Sequence, residues 1–224
     1  MQCHCIGYCV TVSKMNRDVK RPYRSARRRE QAEQTRERVL AAAERVFGER
    51  GFEAATVNAI AAEADVSPET VYARFGNKRS LLVELVGRAA RGPDPSPIPE
   101  QVGPRAIAAE RDQREQLRLF ATDVVLRLER VGPLLAVLAG AAQAEPDLAT
   151  VLKGIHSSRR KNLRIFIEAL STNGALSVSA DAATDTVWAL ASPELHRLLT
   201  GMRGWSRPRY CDWLSATLSA TLLP

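Results

Sequence analysis

Hydrophobic residues recur at every third or fourth position along most of this chain, which is the period of α-helices that bury one face. Before residue 92 the pattern predicts four helices, at 35–49, 57–64, 67–75 and 78–91. Thr56 and Ser67 stand at expected N-caps, Pro68 suits a first helical position, and Gly51 and Gly76 follow helix ends. No alternating strand pattern competes with these helices.

A proline-rich stretch interrupts the helical period at 92–105 and predicts a linker. Its prolines are Pro93, Pro95, Pro97, Pro99 and Pro104. Beyond it the period predicts helices at about 106–130, 133–144, 146–170, 180–191, 193–202 and 208–222. The chain is therefore expected to be all-α, with an N-terminal arm at 1–33, a helical domain at 34–91, the linker, and a larger helical domain at 106–224.

Positive charge is concentrated near the start of the chain. Lys and Arg number 32 against 25 Asp and Glu, a formal charge of +7. Between residues 17 and 29 a single acid, Asp18, stands against seven basic residues: Arg17, Lys20, Arg21, Arg24, Arg27, Arg28 and Arg29. Such a run indicates either a polyanionic partner or a solvated, disordered tail, and the charge pattern alone does not separate the two.

Two short predicted helices joined at Asp65 and Val66, after a longer one, are typical of a helix-turn-helix, whose second short helix enters the DNA major groove. Val71 and Phe75 lie one turn apart and suit a small core. The opposite face carries small and hydrogen-bonding side chains: Ser67, Glu69, Thr70, Tyr72, Ala73 and Arg74. Such a face could also be an ordinary solvated helix surface, but together with the basic arm it favours DNA.

Residues 38–85 resemble the DNA-binding segment of the TetR family of transcriptional regulators. The resemblance rests on F-x-x-x-G-F at 47–52, T-V-x-x-I-A at 56–61, A-x-V-S-x-x-T-V-Y at 64–72 and F-x-x-K-x-x-L at 75–81. It implies a three-helix helix-turn-helix DNA-binding domain at 34–91. It also implies a C-terminal helical domain for ligand binding and dimerisation at 106–224.

The resemblance also assigns roles to residues of the DNA-binding segment. Thr56 and Lys78 are expected to anchor phosphates, and Tyr72 to contact backbone or base. The predicted groove readers are Ser67, Glu69, Thr70 and Ala73, and Pro68 and Arg74 complete the set. Phosphate contacts position a protein on DNA, whereas base contacts specify the sequence. Glu69 brings a negative charge into an anionic groove, which fits if it accepts from a cytosine amino group or lies aside.

The second domain resembles the family by its helical plan and by a closing segment at 186–214. Family membership implies a repressor that binds a palindromic double-stranded operator as a homodimer and is released by a small molecule. The predicted ligand contacts are Phe120, Val124, Leu135, Leu138, Phe166 and Trp188, although apolar residues at helical spacing are often plain core. The predicted dimer contacts are Trp188, Leu199, Trp213, Leu214 and Leu218.

The sequence carries no motif of an enzyme, so no catalytic residue and no cofactor is expected. It has no G-x-S-x-G elbow, no H-E-x-x-H, no Walker-type phosphate loop and no glycine-rich nucleotide fingerprint. A helical RNA-binding or adaptor protein is a further class that the basic arm allows. No run of about 18 apolar residues predicts a membrane span, and a cytoplasmic location is expected.

The first fourteen residues add little to these expectations. Their Cys3, His4, Cys5 and Cys9 lack the paired C-x2-C spacing of structural zinc sites, so no metal site is predicted. Met15, just before the basic run, is an alternative translation start to Met1.

We predict that deletion of residues 1–29 reduces operator affinity and flattens its salt dependence. Each lost phosphate contact should lower the log–log salt slope by about 0.9, as measured by gel shifts at several salt concentrations. Deletion of residues 1–14 is the control and should leave both unchanged. An unaltered slope after the longer deletion would identify the basic run as merely solvated.

Overall fold

The computed structural model describes the backbone of residues 20–224 and the side chains from Arg27 onward. These residues form α-helices and, within that range, no β-strand, which confirms the predicted all-α class. The helices are α1 (Lys20–Ala54), α2 (Val57–Glu63), α3 (Pro68–Phe75), α4 (Lys78–Arg91), α5 (Val102–Ala109), α6 (Gln113–Ala141), α7 (Pro146–Thr172), α8 (Ala180–Leu190), α9 (Pro193–Arg197) and α10 (Arg207–Leu222). The chain divides into two compact units after Arg38.

Helix α1 begins at Lys20, so the described part of the arm predicted to be disordered is helical. Arg, Glu and Gln are good helix formers, and Arg36 and Glu33, one turn apart, approach to 3.9 Å. The disorder predicted for the arm at 1–33 stays a prediction; it weighed charge without helix propensity, and residues 20–33 are described as helix. Residues 1–19, with their cysteines and Met15, lie outside the described residues.

A first hydrophobic cluster joins the N-terminal helices to later ones. It unites the part of α1 from Val39, helices α2 to α4, the second half of α6 and the start of α7. The rings of Phe47 and Phe52 stack within it at 6.0 Å between centroids. Gly51, between them, adopts φ 69° and breaks the helical geometry where the sequence predicted an end. This cluster contains residues from both sides of the stretch predicted as a linker, so the two predicted domains share one hydrophobic core. Their division at residues 92–105 stays a prediction.

A second cluster unites α5, the first half of α6, the second half of α7, α8 and α10. Tyr210, Leu214 and Leu218 on α10 are fully buried in it. Leu214 and Leu218 therefore lie inside the subunit, and their assignment to a dimer interface was wrong. An apolar helix face in a sequence does not tell whether its partner is the same chain or another one.

Helix α6 runs for 29 residues and contains Pro133, at which the sequence predicted a break. Pro133 is exposed, whereas Leu134, Leu135 and Leu138 beside it are buried. A proline inside a helix costs about 3 kcal/mol because it removes a donor and crowds the preceding turn. The freed carbonyl can bind water on this exposed side, and burial of the neighbouring leucines offsets the cost.

The helix predicted at 106–130 divides instead into α5 and α6. Asp112 caps α6, since its Oδ1 accepts a hydrogen bond from the Arg114 amide at 2.8 Å. Asp112 followed three residues later by Glu115 is a capping pattern. The continuous apolar period across this point led to the prediction of a single helix. The region predicted as 193–202 likewise divides into α9 and a π-helical turn, Leu198–Met202.

The proline-rich stretch is folded around one buried amide. Gln101 is 4% exposed, and its Nε2 donates to the carbonyls of Arg91, Asp94 and Ser96 at 3.0 to 3.2 Å. A 3-10 helix, Ile98–Glu100, precedes it. None of the helices in the described part of the chain combines the length and apolarity that a membrane span requires.

We predict that Leu218→Ala lowers the free energy of unfolding by about 3 kcal/mol, because it leaves a cavity in the second cluster. Chemical denaturation followed by circular dichroism measures this. Ala220→Ser, on the exposed side of the same helix, is the control and should change little. Loss of the dimer with unchanged unfolding free energy would place Leu218 at a subunit interface after all.

Candidate DNA-binding face and ligand cavity

Helix α3 is short, and hydrogen bonds at both ends define where it begins and ends. At its start, the Ser67 hydroxyl accepts from the Thr70 amide at 3.3 Å. At its end, Gly76 takes φ 76° and its amide donates to the Tyr72 carbonyl at 2.8 Å. In the preceding turn Asp65 adopts φ 51°, a left-handed conformation that aspartate tolerates better than most residues. These constraints fix the direction in which α3 presents its side chains.

One face of α3 is buried through Val71 and Phe75, and the other is exposed as the sequence predicted. Tyr72 is the largest side chain there, with 51% of its surface exposed. The exposed members of the predicted DNA-binding set are Thr56, Ser67, Glu69, Tyr72, Ala73 and Arg74, and the half-buried ones are Pro68, Thr70 and Lys78. They remain predicted contacts, now grouped on α3 and at the starts of α2 and α4.

The side chains of Thr56 and Glu69 accept hydrogen bonds at the starts of their own helices, α2 and α3. The Thr56 Oγ1 accepts from the Ala59 amide at 3.1 Å, which leaves the hydroxyl hydrogen to donate elsewhere. Hydrogen bonds from its own backbone amide and from the Ser67 hydroxyl lower the pKa of Glu69. This carboxylate is thus turned back on the first turn of α3, which favours the alternative in which it lies aside in the groove.

Lys78 has a structural partner that the sequence did not reveal. Its Nζ donates to the Phe52 carbonyl at 2.7 Å and lies 4.1 Å from the Phe52 ring centroid. An ammonium group has three donors, so further acceptors such as a phosphate can still bind it. The residue therefore ties the start of α4 to the end of α1 in addition to its predicted role.

A cavity of about 510 Å³ lies among α4, α5, α6 and α7. Its wall is mostly apolar, and ligand pockets of proteins commonly have about 300 to 1,000 Å³. Phe120 and Phe166 stack in this wall with 4.2 Å between centroids. The arrangement can hold an apolar molecule of moderate size.

Of the predicted ligand contacts, four lie in this wall: Phe120, Val124, Leu135 and Phe166. Leu138 does not, because it is fully buried in the first cluster, and Trp188 packs on the second cluster outside the wall. The cavity wall does not include them, and their role in ligand binding stays a prediction. Helical period identifies a buried face but not which part of that face borders a void.

Sequence reasoning missed the charged residues of the cavity wall, Asp123, Arg127 and Arg159. Arg127 donates to both Asp123 oxygens, at 2.7 and 3.2 Å, and to the Gln101 Oε1 at 2.8 Å. A Cβ atom added at Gly103 would lie 2.6 Å from the Asp123 Oδ1, so a larger residue there would require the Asp123 carboxylate to shift. The spacing of four between Asp123 and Arg127 was a signal available in the sequence.

The remaining predicted dimer contacts, Trp188, Leu199 and Trp213, are half-buried and pack on the second cluster. They remain predictions. Among the described residues no group of three or more His, Cys, Asp or Glu side chains is placed to hold a metal ion.

The family model of bacterial regulatory proteins of the tetR family matches residues 39–85, which contain α2 and α3 with parts of α1 and α4. Over a longer span, the chain is 29% identical to the HTH-type transcriptional repressor BepR of Brucella suis biovar 1. That similarity extends over 195 residues, 80% of this chain and 87% of BepR.

Solved structures have the same fold over most of their length. NalD of Pseudomonas aeruginosa, the secondary repressor of the MexAB-OprM multidrug efflux pump, has a TM-score of 0.66 at 22% identity, covering 86% of this chain and 98% of NalD. The regulator FadR of Bacillus subtilis, in complex with stearoyl-CoA, has a TM-score of 0.62 at 16% identity, covering 81% and 96%. These structures show that the chain shares their fold. The family model at residues 39–85 and the similarity to BepR, together with the capped α3 and its exposed face, assign the chain to the tetR family of bacterial regulatory proteins.

Proposed function

We propose that this chain is a ligand-responsive repressor that binds a palindromic operator as a homodimer and is released when a small molecule occupies the cavity. The observation that carries the proposal is the position of α4. Its Leu81, Leu82 and Leu85 belong to the cluster that also holds α3, whereas Val86 and Gly87 on the same helix line the cavity. A movement of α4 at the cavity wall would therefore also move the hydrophobic core against which α3 packs.

Ion pairs also connect the start of α4 to the start of α7. Arg79 forms ion pairs with Glu145 and, at 3.3 Å, with Asp147 at the beginning of α7. Helix α7 supplies cavity residues such as Val151 and Phe166. A ligand that separates α4 from α7 would displace the whole of α4. Close-packed interiors transmit such displacements, so the position of α3 would change as well.

Binding to DNA is supported by the exposed face of α3 and by the net charge of +7. One recognition helix covers only a few base pairs, so two subunits are needed for a specific site of useful length. That BepR and NalD are named repressors supports the same role here, and the stearoyl-CoA complex of FadR supports a small-molecule ligand. No catalytic step is part of the proposal.

We predict that the purified chain shifts DNA from upstream of its own gene and protects an inverted repeat. Its half-sites should lie about 34 to 36 Å apart or at a multiple of that distance, as measured by footprinting. Sedimentation should give the mass of a dimer at micromolar concentration. A monomer that protects one half-site tightly would contradict the dimer model.

We predict that Tyr72→Ala weakens operator binding by about tenfold or more, because a backbone or base contact contributes about 1 to 3 kcal/mol. Since Tyr72 is exposed, unfolding free energy and dimer mass should stay unchanged. Lys78→Met should weaken binding as well, but it should also lower the free energy of unfolding by about 1 to 2 kcal/mol through loss of the bond to the Phe52 carbonyl.

The two variants are read by gel shift together with chemical denaturation. Val102→Ala is a matched control, because Val102 is 82% exposed and lies far along the chain from α3. It should alter neither quantity. Wild-type operator affinity in both Tyr72→Ala and Lys78→Met would remove these residues from the interface.

A further inference from the structure

Two arginines border the same apolar cavity, and their surroundings differ. Arg127 is neutralised by Asp123 and is further bonded to the Gln101 side chain and, at 3.3 Å, to the Ala90 carbonyl. Asp123 balances the charge of Arg127, and each of the three guanidinium nitrogens of Arg127 donates at least one hydrogen bond. Arg127 therefore has a structural role at the end of the cavity formed by the proline-rich stretch.

Arg159, on α7, has no such partner. One terminal nitrogen, Nη2, donates to the Trp188 carbonyl, and the guanidinium carbon lies 5.2 Å from the Trp188 ring centroid. The other, Nη1, is shielded from solvent and has no hydrogen-bond partner in the described part of the protein. Glu194 influences Arg159 electrostatically, but no described carboxylate forms an ion pair with it.

This leaves at the cavity wall a positive charge that has no ion-pair partner among the described residues. Burial lowers the pKa of Arg159 to about 10, so the guanidinium stays protonated near neutral pH. A buried donor without an acceptor and a buried charge without a counter-charge are both costly, and such groups are retained where a ligand satisfies them. Ser158 and Asn162, on the same part of α7, add polar groups beside it.

We propose that the ligand of this cavity is an apolar carboxylate, whose head group binds Arg159 and whose body fills the space between α4, α5, α6 and α7. This inference deepens the proposed function and depends on it for its regulatory meaning. A guanidinium binds a carboxylate through two parallel hydrogen bonds. Arg159 lines the cavity, and a rotation of its guanidinium would turn the unpartnered Nη1, which is shielded from solvent here, toward the ligand. The stacked Phe120 and Phe166 supply an apolar wall for the body.

Other ligand classes fit this wall less well. A cationic ligand would be repelled by Arg159, since Asp123 is already paired with Arg127. A neutral apolar ligand would exclude water while leaving Nη1 without an acceptor. A doubly charged anion would bring more negative charge than the single uncompensated arginine balances.

The test compares three ligands with the same ten-carbon chain: decanoate, decanol and decylamine. Isothermal titration of the full-length protein should give decanoate an affinity about tenfold or more above that of decanol, because a hydrogen-bonded ion pair adds about 1.5 to 3 kcal/mol. Decylamine should bind most weakly. Equal or tighter binding of decanol or decylamine, or binding of none of the three, would overturn the proposal.

Variants assign the preference to one side chain. Arg159→Met should reduce decanoate to the affinity of decanol while decanol binding stays, which also shows that the variant is folded. Arg160→Met is the matched control: its guanidinium pairs with Asp185 at 2.7 Å, and it should keep the preference for decanoate. Retention of the preference in Arg159→Met would overturn the role of Arg159.

Gel shifts with the operator separate this inference from the proposed function. If decanoate binds through Arg159 without releasing DNA, the ligand-responsive function fails and the assignment of the cavity stands. If decanol and decanoate release DNA equally well, the function stands and the carboxylate assignment fails.

Discussion

Helix α6 is the element on which the arrangement of residues 39–224 depends, because it contributes to both hydrophobic clusters. Its first half, with Leu117 and Val125, lies in the second cluster, and its second half, with Leu134 and Leu138, lies in the first. At 1.5 Å per residue its 29 residues extend for about 44 Å. If Pro133 broke it, the support of the recognition helix and the wall of the cavity would be separate structures.

The polar groups that border the cavity next to this helix differ in how fully their hydrogen bonds and charges are paired. At one end Gln101, Arg127 and Asp123 satisfy one another and hold the proline-rich stretch in place. On α7, the Nη1 of Arg159 has no hydrogen-bond acceptor among the described residues, and its guanidinium forms no ion pair. In the proposed ligand site, a hydrogen bond to this unpartnered donor would favour one class of ligand, because the donor gains no hydrogen bond within the protein.

The exposed face of α3, proposed to bind DNA, depends on packing against neighbouring helices for its order. Helices of seven and eight residues, such as α2 and α3, are too short to be stable alone in water. Their caps at Thr56 and Ser67 fix where they start, and burial of Val71 and Phe75 fixes which side is hidden. The bond from Lys78 to the Phe52 carbonyl closes the unit by joining α4 to the end of α1.

The sequence by itself determined the all-α class, the capped starts of α2 and α3, and the exposed face of α3, because period and capping chemistry act within a few residues. Tertiary structure decided whether α6 passes Pro133, since burial of distant leucines offsets a local cost. It also decided that Leu214 and Leu218 pack inside the subunit and that Leu138 and Trp188 lie outside the cavity wall. Local patterns specify which faces are apolar. The partner of each face, and the absence of an ion pair at Arg159, depend on helices that are far apart in the chain.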